Sequence, residues 1–102
     1  MTAKPLEYLL HVQPDILDAA AWYESQKAGL GDELVAEIRS YLDKISQRPA
    51  SFALVQDDPP VRHAVLKRFP FVIYFMEKEN CITIIYVVHG KRSSRHWERH
   101  TR

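Results

Sequence analysis

Phe71-Val72-Ile73-Tyr74-Phe75-Met76, then Glu77-Lys78-Glu79-Asn80, then Cys81-Ile82-Thr83-Ile84-Ile85-Tyr86-Val87-Val88 reads as a β-hairpin: two β-branched and aromatic runs joined by a polar turn. In the second run Ile82, Ile84, Tyr86 and Val88 share one face by alternation, while Thr83, Ile85 and Val87 on the other are also largely apolar. Burial on both faces predicts a strand with neighbours on each side, not a sheet edge.

Upstream, Val61 to Arg68 predicts another strand, with Arg62, Ala64, Leu66 and Arg68 on one face and His63 and Lys67 on the other. Pro49 to Pro60 reads as a loop closed by the breaker Asp57-Asp58-Pro59-Pro60. Before it, Leu34, Ile38, Tyr41, Leu42 and Ile45 form a single apolar stripe, which predicts a helix ending at Arg48, ahead of Pro49. Gly29-Leu30-Gly31 separates it from an Ala-rich helix that starts at Pro14 and Asp15, runs through Lys27, and places Ile16, Ala20 and Tyr23 on one face. Asp32 is the expected cap of the second helix, and Trp22-Tyr23-Glu24 is expected to be a packing surface. Leu6 to Val12 reads as a short first strand. The order β-α-α-β-β-β predicts an α+β fold, a helical hairpin packed on one face of a small, mainly antiparallel sheet, with a short C-terminal tail or helix. Residues 1 to 102 are expected to form one domain.

The net charge of +1 conceals a polarised chain. Residues 1 to 60 carry 5 basic and 10 acidic side chains, net −5, and residues 61 to 102 carry 9 basic and 3 acidic, net +6, with four of the five histidines. Such asymmetry suggests a surface for nucleic acid or for an acidic protein. The single cysteine, Cys81, excludes an internal disulfide and is expected to be a small buried apolar residue in a reducing cytoplasm. Signal-peptide features and an apolar run approaching the roughly 20 residues of a membrane span are lacking.

Arg62 and Arg68 admit two readings: guanidiniums flanking a phosphodiester, or edge-strand charges that discourage aggregation. His89, followed by Gly90-Lys91-Arg92, stands where a turn could aim an imidazole and a guanidinium at the groove of Arg62; the alternative is a strand-end histidine bonded to backbone. In Ser94-Arg95-His96-Trp97-Glu98-Arg99-His100 phosphate-binding and stacking residue types alternate, although Trp97 is better read as an anchor to the core. His96 and His100 lack a third ligand in register, so neither metal nor cofactor is expected. Gly-rich phosphate loops, HExxH, GxSxG and CxxC are missing.

Several segments together resemble the RelE/ParE superfamily of toxins from bacterial type II toxin-antitoxin modules: Ala19-Ala20-Ala21-Trp22-Tyr23-Glu24-Ser25-Gln26, Gly29-Leu30-Gly31, Ile45 to Pro49, Val61-Arg62-His63-Ala64, Arg68 to Phe75, and Val87-Val88-His89-Gly90-Lys91-Arg92. The resemblance spans roughly residues 8 to 97, and its ordered set is more specific than any piece. It implies a growth-arresting, plasmid-stabilising toxin neutralised by a cognate antitoxin. Target- or antitoxin-binding would fall on Arg62, Lys67, Arg68, His89, Lys91, Arg92, Arg95 and Trp97. RelE-like members cut ribosome-bound messenger RNA; here that would use His89 or His63 as base, with Arg62, Arg68 and Arg92 stabilising the phosphorane. ParE-like members poison DNA gyrase without hydrolysis. Gln56-Asp57-Asp58-Pro59-Pro60 stands where the nucleases place lysines, and the last residues contain no tyrosine. Carboxylates there oppose phosphate chemistry, which favours the ParE-like reading. A third possibility is a non-toxic remnant that still binds antitoxin.

Overall fold

The structure, a computed structural model, describes residues 3–90. Its elements are β1 (Leu6–Tyr8), α1 (Val12–Gln26), α2 (Leu30–Gln47), a 3-10 turn (Pro49–Ser51), β2 (Ala53–Asp57), β3 (Pro60–Val65), β4 (Phe71–Glu77) and β5 (Ile82–His89). The strands form one sheet in the order β1-β5-β4-β3-β2, antiparallel except for the parallel β1–β5 pair. The α+β architecture expected from the sequence is present, with one strand more. Part of the predicted Pro49 to Pro60 loop is β2, which pairs with β3 through a bulge between Leu54 and Gln56. Ala53 and Leu54 are exposed on this edge strand, so it lacks the in-out alternation that signals a half-buried strand. Asp57 ends β2, paired with Pro60, and Asp58 and Pro59 form the turn into β3 around a cis Asp58–Pro59 bond.

The helical hairpin covers one sheet face. Leu34, Ile38 and Ile45 of α2 and Val12 of α1 are buried against Ala64, Phe71, Ile73, Phe75, Ile82, Ile84 and Val87. Each fully buried aliphatic or phenyl group here contributes roughly 1.5–3 kcal/mol of transfer free energy. On the opposite face Val61, Val72, Tyr74 and Ile85 form a smaller cluster. β5 is flanked by β1 and β4, as its two apolar faces predict.

Its alternation is nevertheless broken. Tyr74 pairs with Tyr86 and Phe75 with Ile84, so Ile85 is an extra residue in β5. A bulge of this kind exchanges the two faces of everything beyond it. Ile82 and Ile84 face the helices as expected, but beyond Ile85 it is Val87 that joins the helix-side core, while Tyr86 and Val88 pack with the opposite cluster.

Element ends differ from the sequence reading for local reasons. α1 starts at Val12, with Pro14 inside a first turn where its missing N–H costs nothing. Lys27, Ala28 and Gly29 separate the helices, with Gly29 at φ 90°, and Gly31 is already in α2. Asp32 lies in the first turn of α2, and the capping role expected of it falls to Glu24 of α1, which accepts from Gly29 N–H at 2.8 Å and Gly31 N–H at 3.0 Å. β1 is shorter than predicted, and β3 ends at Val65, leaving Lys67 and Arg68 in the turn to β4. Cys81 is half-buried and precedes β5, where its carbonyl accepts from Lys78 N–H; it is not the buried mid-strand residue expected. No helix among the described residues is long and apolar enough to cross a membrane.

Candidate functional site

The strand register distributes the basic residues over two ends of the sheet. Arg62 pairs with Phe75 and His89 with Phe71. Four residues along β4 and two strand spacings therefore separate them, about 13 Å by about 10 Å. Lys67, Arg68 and His89 belong to one end, joined there by Gly90 N–H donating to the Pro70 carbonyl at 2.7 Å. Arg62 belongs to the other, with Asp57 and Asp58. The shared groove for His89 and Arg62 is not formed, because β3 and β5 run parallel and these residues sit at opposite ends of them.

Arg62, His63 and Arg68 each have their own engagement. Arg62 Nη1 donates to the Phe52 carbonyl at 2.6 Å, tying β3 to the segment entering β2. His63 projects from the opposite face, its ring 5.9 Å from Tyr74, and burial lowers its pKa. The Arg68 guanidinium does not share a strand face with Arg62. It is paired with Glu33 of α2 at 2.5 Å and lies over the Phe69 ring. This contact lowers the Glu33 pKa, through the hydrogen bond first and the charge second, and raises that of Arg68. Glu37, one turn on, accepts from Arg68 N–H at 3.0 Å and Phe69 N–H at 3.2 Å. Two carboxylates at i and i+4 on α2 thus clamp the β3–β4 turn. Lys67 is exposed in that turn. Lys91, Arg92, Arg95, His96, Trp97 and His100 lie outside the described residues.

The same end of the sheet carries a groove absent from the sequence reading. It has a volume of about 720 Å³ and runs between α1, through Asp15, Asp18, Ala19 and Trp22, and the end of β5, from Tyr86 to His89, with Phe71 and Tyr23 at its floor. The packing surface expected at Trp22-Tyr23-Glu24 divides by face. Tyr23 meets Phe69 and Phe71 edge-on at 5.1 and 6.2 Å and Glu24 caps α2, but Trp22 is 58% exposed on the groove. Asp15, Asp18 and Trp22 stand at i, i+3 and i+7, a spacing that aligns one helix face. That periodicity was the available signal, but only the bulge in β5 brings the strand's end beneath it. His89 takes part from the strand side, its ring 5.6 Å from Phe71. Among the described residues no group of three or more His, Cys, Asp or Glu side chains is arranged to hold a metal ion.

No protein-family model matches the chain, and no curated protein matches it. Among solved structures it is similar to a chain of the chromosomal ParDE TA system from P. aeruginosa, at 19% identity over 85% of this chain and 96% of that one, with a TM-score of 0.75. At that identity and coverage, the chain shares its fold with this component of a toxin-antitoxin assembly across nearly the whole of both molecules.

Proposed function

We propose that the protein is the toxin of a type II toxin-antitoxin module, neutralised by a cognate antitoxin, and that it arrests growth by binding DNA gyrase without cutting nucleic acid. Its fold likeness to a ParDE component supports the module. The observation that carries the non-hydrolytic reading is the separation of the basic residues: Arg62 and His89 sit at opposite ends of β4, and Arg68 is neutralised by Glu33. Phosphoryl chemistry needs the base and the charge-stabilising groups within a few ångströms of one phosphate. In this proposal, binding to target or antitoxin is concentrated where Lys67 and His89 gather and the chain continues towards Lys91, Arg92, Arg95 and Trp97. Arg62 supports the β2–β3 edge.

Induced expression without the antitoxin is expected to stop growth, and purified protein to inhibit gyrase supercoiling while ribosome-bound message stays intact. Site-specific message cleavage that disappears in Arg62→Ala and His89→Ala would establish the endoribonuclease instead. Unimpaired growth on expression would leave the antitoxin-binding remnant.

A further inference from the structure

We propose that the groove between α1 and β5 docks a segment of a partner protein that presents an arginine or lysine flanked by apolar side chains. This goes beyond the toxin reading and holds whatever the cellular target is.

Charge comes first. The final third of the chain is basic, yet this concavity carries Asp15 and Asp18 on one wall. The described basic side chains do not reach them: the ion pairs are Lys4–Glu77, Arg68–Glu33 and Lys78–Glu7. Neither carboxylate makes a side-chain hydrogen bond among the described residues, although Asp15 is half-buried. Two carboxylates one turn apart, at the edge of an apolar floor, attract a cation and repel a polyanion, so nucleic acid does not fit here.

Aromatic surface decides which cation. Trp22 is 58% exposed over the groove, whereas Tyr23 and Phe71 below it are packed. A tryptophan face beside carboxylates suits a guanidinium or ammonium whose aliphatic stem lies on the ring, the arrangement of cation–π contacts and of interface hot spots. A divalent metal ion is a poorer match, because it needs more oxygen ligands than two aspartates separated by a helical turn supply.

Length selects a peptide over a small amine. From Asp15 to Trp22 the helix rises about 10 Å, and Tyr86 to His89 advances a similar distance along the strand. A wall of this length accommodates one long cationic side chain with an apolar neighbour on either side. Tyr86 and Val88, both half-buried at the end of the strand, supply the surface for those neighbours.

The test is selection of random seven-residue peptides displayed on phage against immobilised full-length protein. Selected peptides are expected to be enriched in arginine or lysine next to aliphatic residues. A synthetic selected peptide should bind the double variant Asp15→Asn/Asp18→Asn about tenfold more weakly, the sum of one exposed charge contact at Asp18 and a partly desolvated one at Asp15. Trp22→Ala should weaken it by a similar factor, while Asp18→Glu should retain binding. Circular dichroism melting verifies that the variants fold. Selection of acidic or uncharged peptides overturns the proposal, as does unchanged binding to the Asn variants. It is equally overturned if nothing is recovered above the Trp22→Ala background, the outcome expected were the groove filled by the chain's own residues 91–102 or by a second copy; sedimentation separates those two cases.

Discussion

Replacing Gly31 by alanine tests the junction on which the hairpin and the groove both depend. Gly31 has an ordinary helical backbone, so the cost is one of space. A Cβ there would stand 2.4 Å from the Ala20 carbonyl oxygen, 3.2 Å from the Ala20 carbonyl carbon and 3.1 Å from Glu24 Oε1. Ordinary contact begins at 3.4 Å, so α1 and α2 must move apart by about 1 Å at this point. Overpacking of that size costs about 1–3 kcal/mol. The movement also stretches the two bonds from Glu24 to Gly29 and Gly31, each worth about 1 kcal/mol. Alanine's better helix propensity returns at most about 1 kcal/mol. The net expectation is a loss of about 2–3 kcal/mol. With a slope of about 1–2 kcal/mol/M for a small domain, the urea midpoint should fall by about 1.5 M. Gly29→Ala is the control: its φ of 90° is strained for alanine, but no atom lies within 4 Å of the added Cβ. It should cost only about 1–2 kcal/mol. A Gly31→Ala midpoint equal to or above wild type, or a larger loss for Gly29→Ala, refutes the close-approach argument.

Two further outcomes are expected. Glu37→Ala removes the acceptor of two backbone N–H groups and should lower stability by about 1–2 kcal/mol, several degrees in a thermal melt; Glu33→Ala, which loses only an exposed ion pair, should change it little, and equal effects would contradict the clamp. His63 is held below its ordinary pKa by burial, so between its folded value and about 6.5 the unfolded chain binds more protons and stability falls as pH drops through that window. In His63→Gln, urea midpoints measured between pH 5 and 7 should lose this component of the slope.

Periodicity was legible wherever one residue's burial predicted the next. The stripe of α2 and the two-faced run from Ile82 announced a helix against a sheet, and both occupy those places. The residue-by-residue reading failed where a backbone event intervened. The bulge at Ile85 left no mark in an unbroken apolar run, since either face accepts isoleucine or valine. Its effect is to place Val87 and His89 where strict alternation puts Tyr86 and Val88. The early end of β3 had the same consequence for Arg68, which sequence alone set beside Arg62 and which α2 holds instead. Charges on loops carry no period, so their partners were not readable. The groove depended on both events and on the position of α1, which no local signal encodes.

The parallel pairing of β1 with β5 also shapes when the fold can be completed. Leu6 lies opposite Ile82, so β1 must wait for nearly all the intervening chain before it has a strand to join. During synthesis the helical hairpin can form early, but the strands that bury its apolar stripe leave the ribosome only after it. Closing so long a loop is entropically costly and slows folding relative to local pairings. Until then the nascent chain exposes Leu34, Ile38 and Ile45 without a sheet to cover them, which makes it a natural client for chaperones.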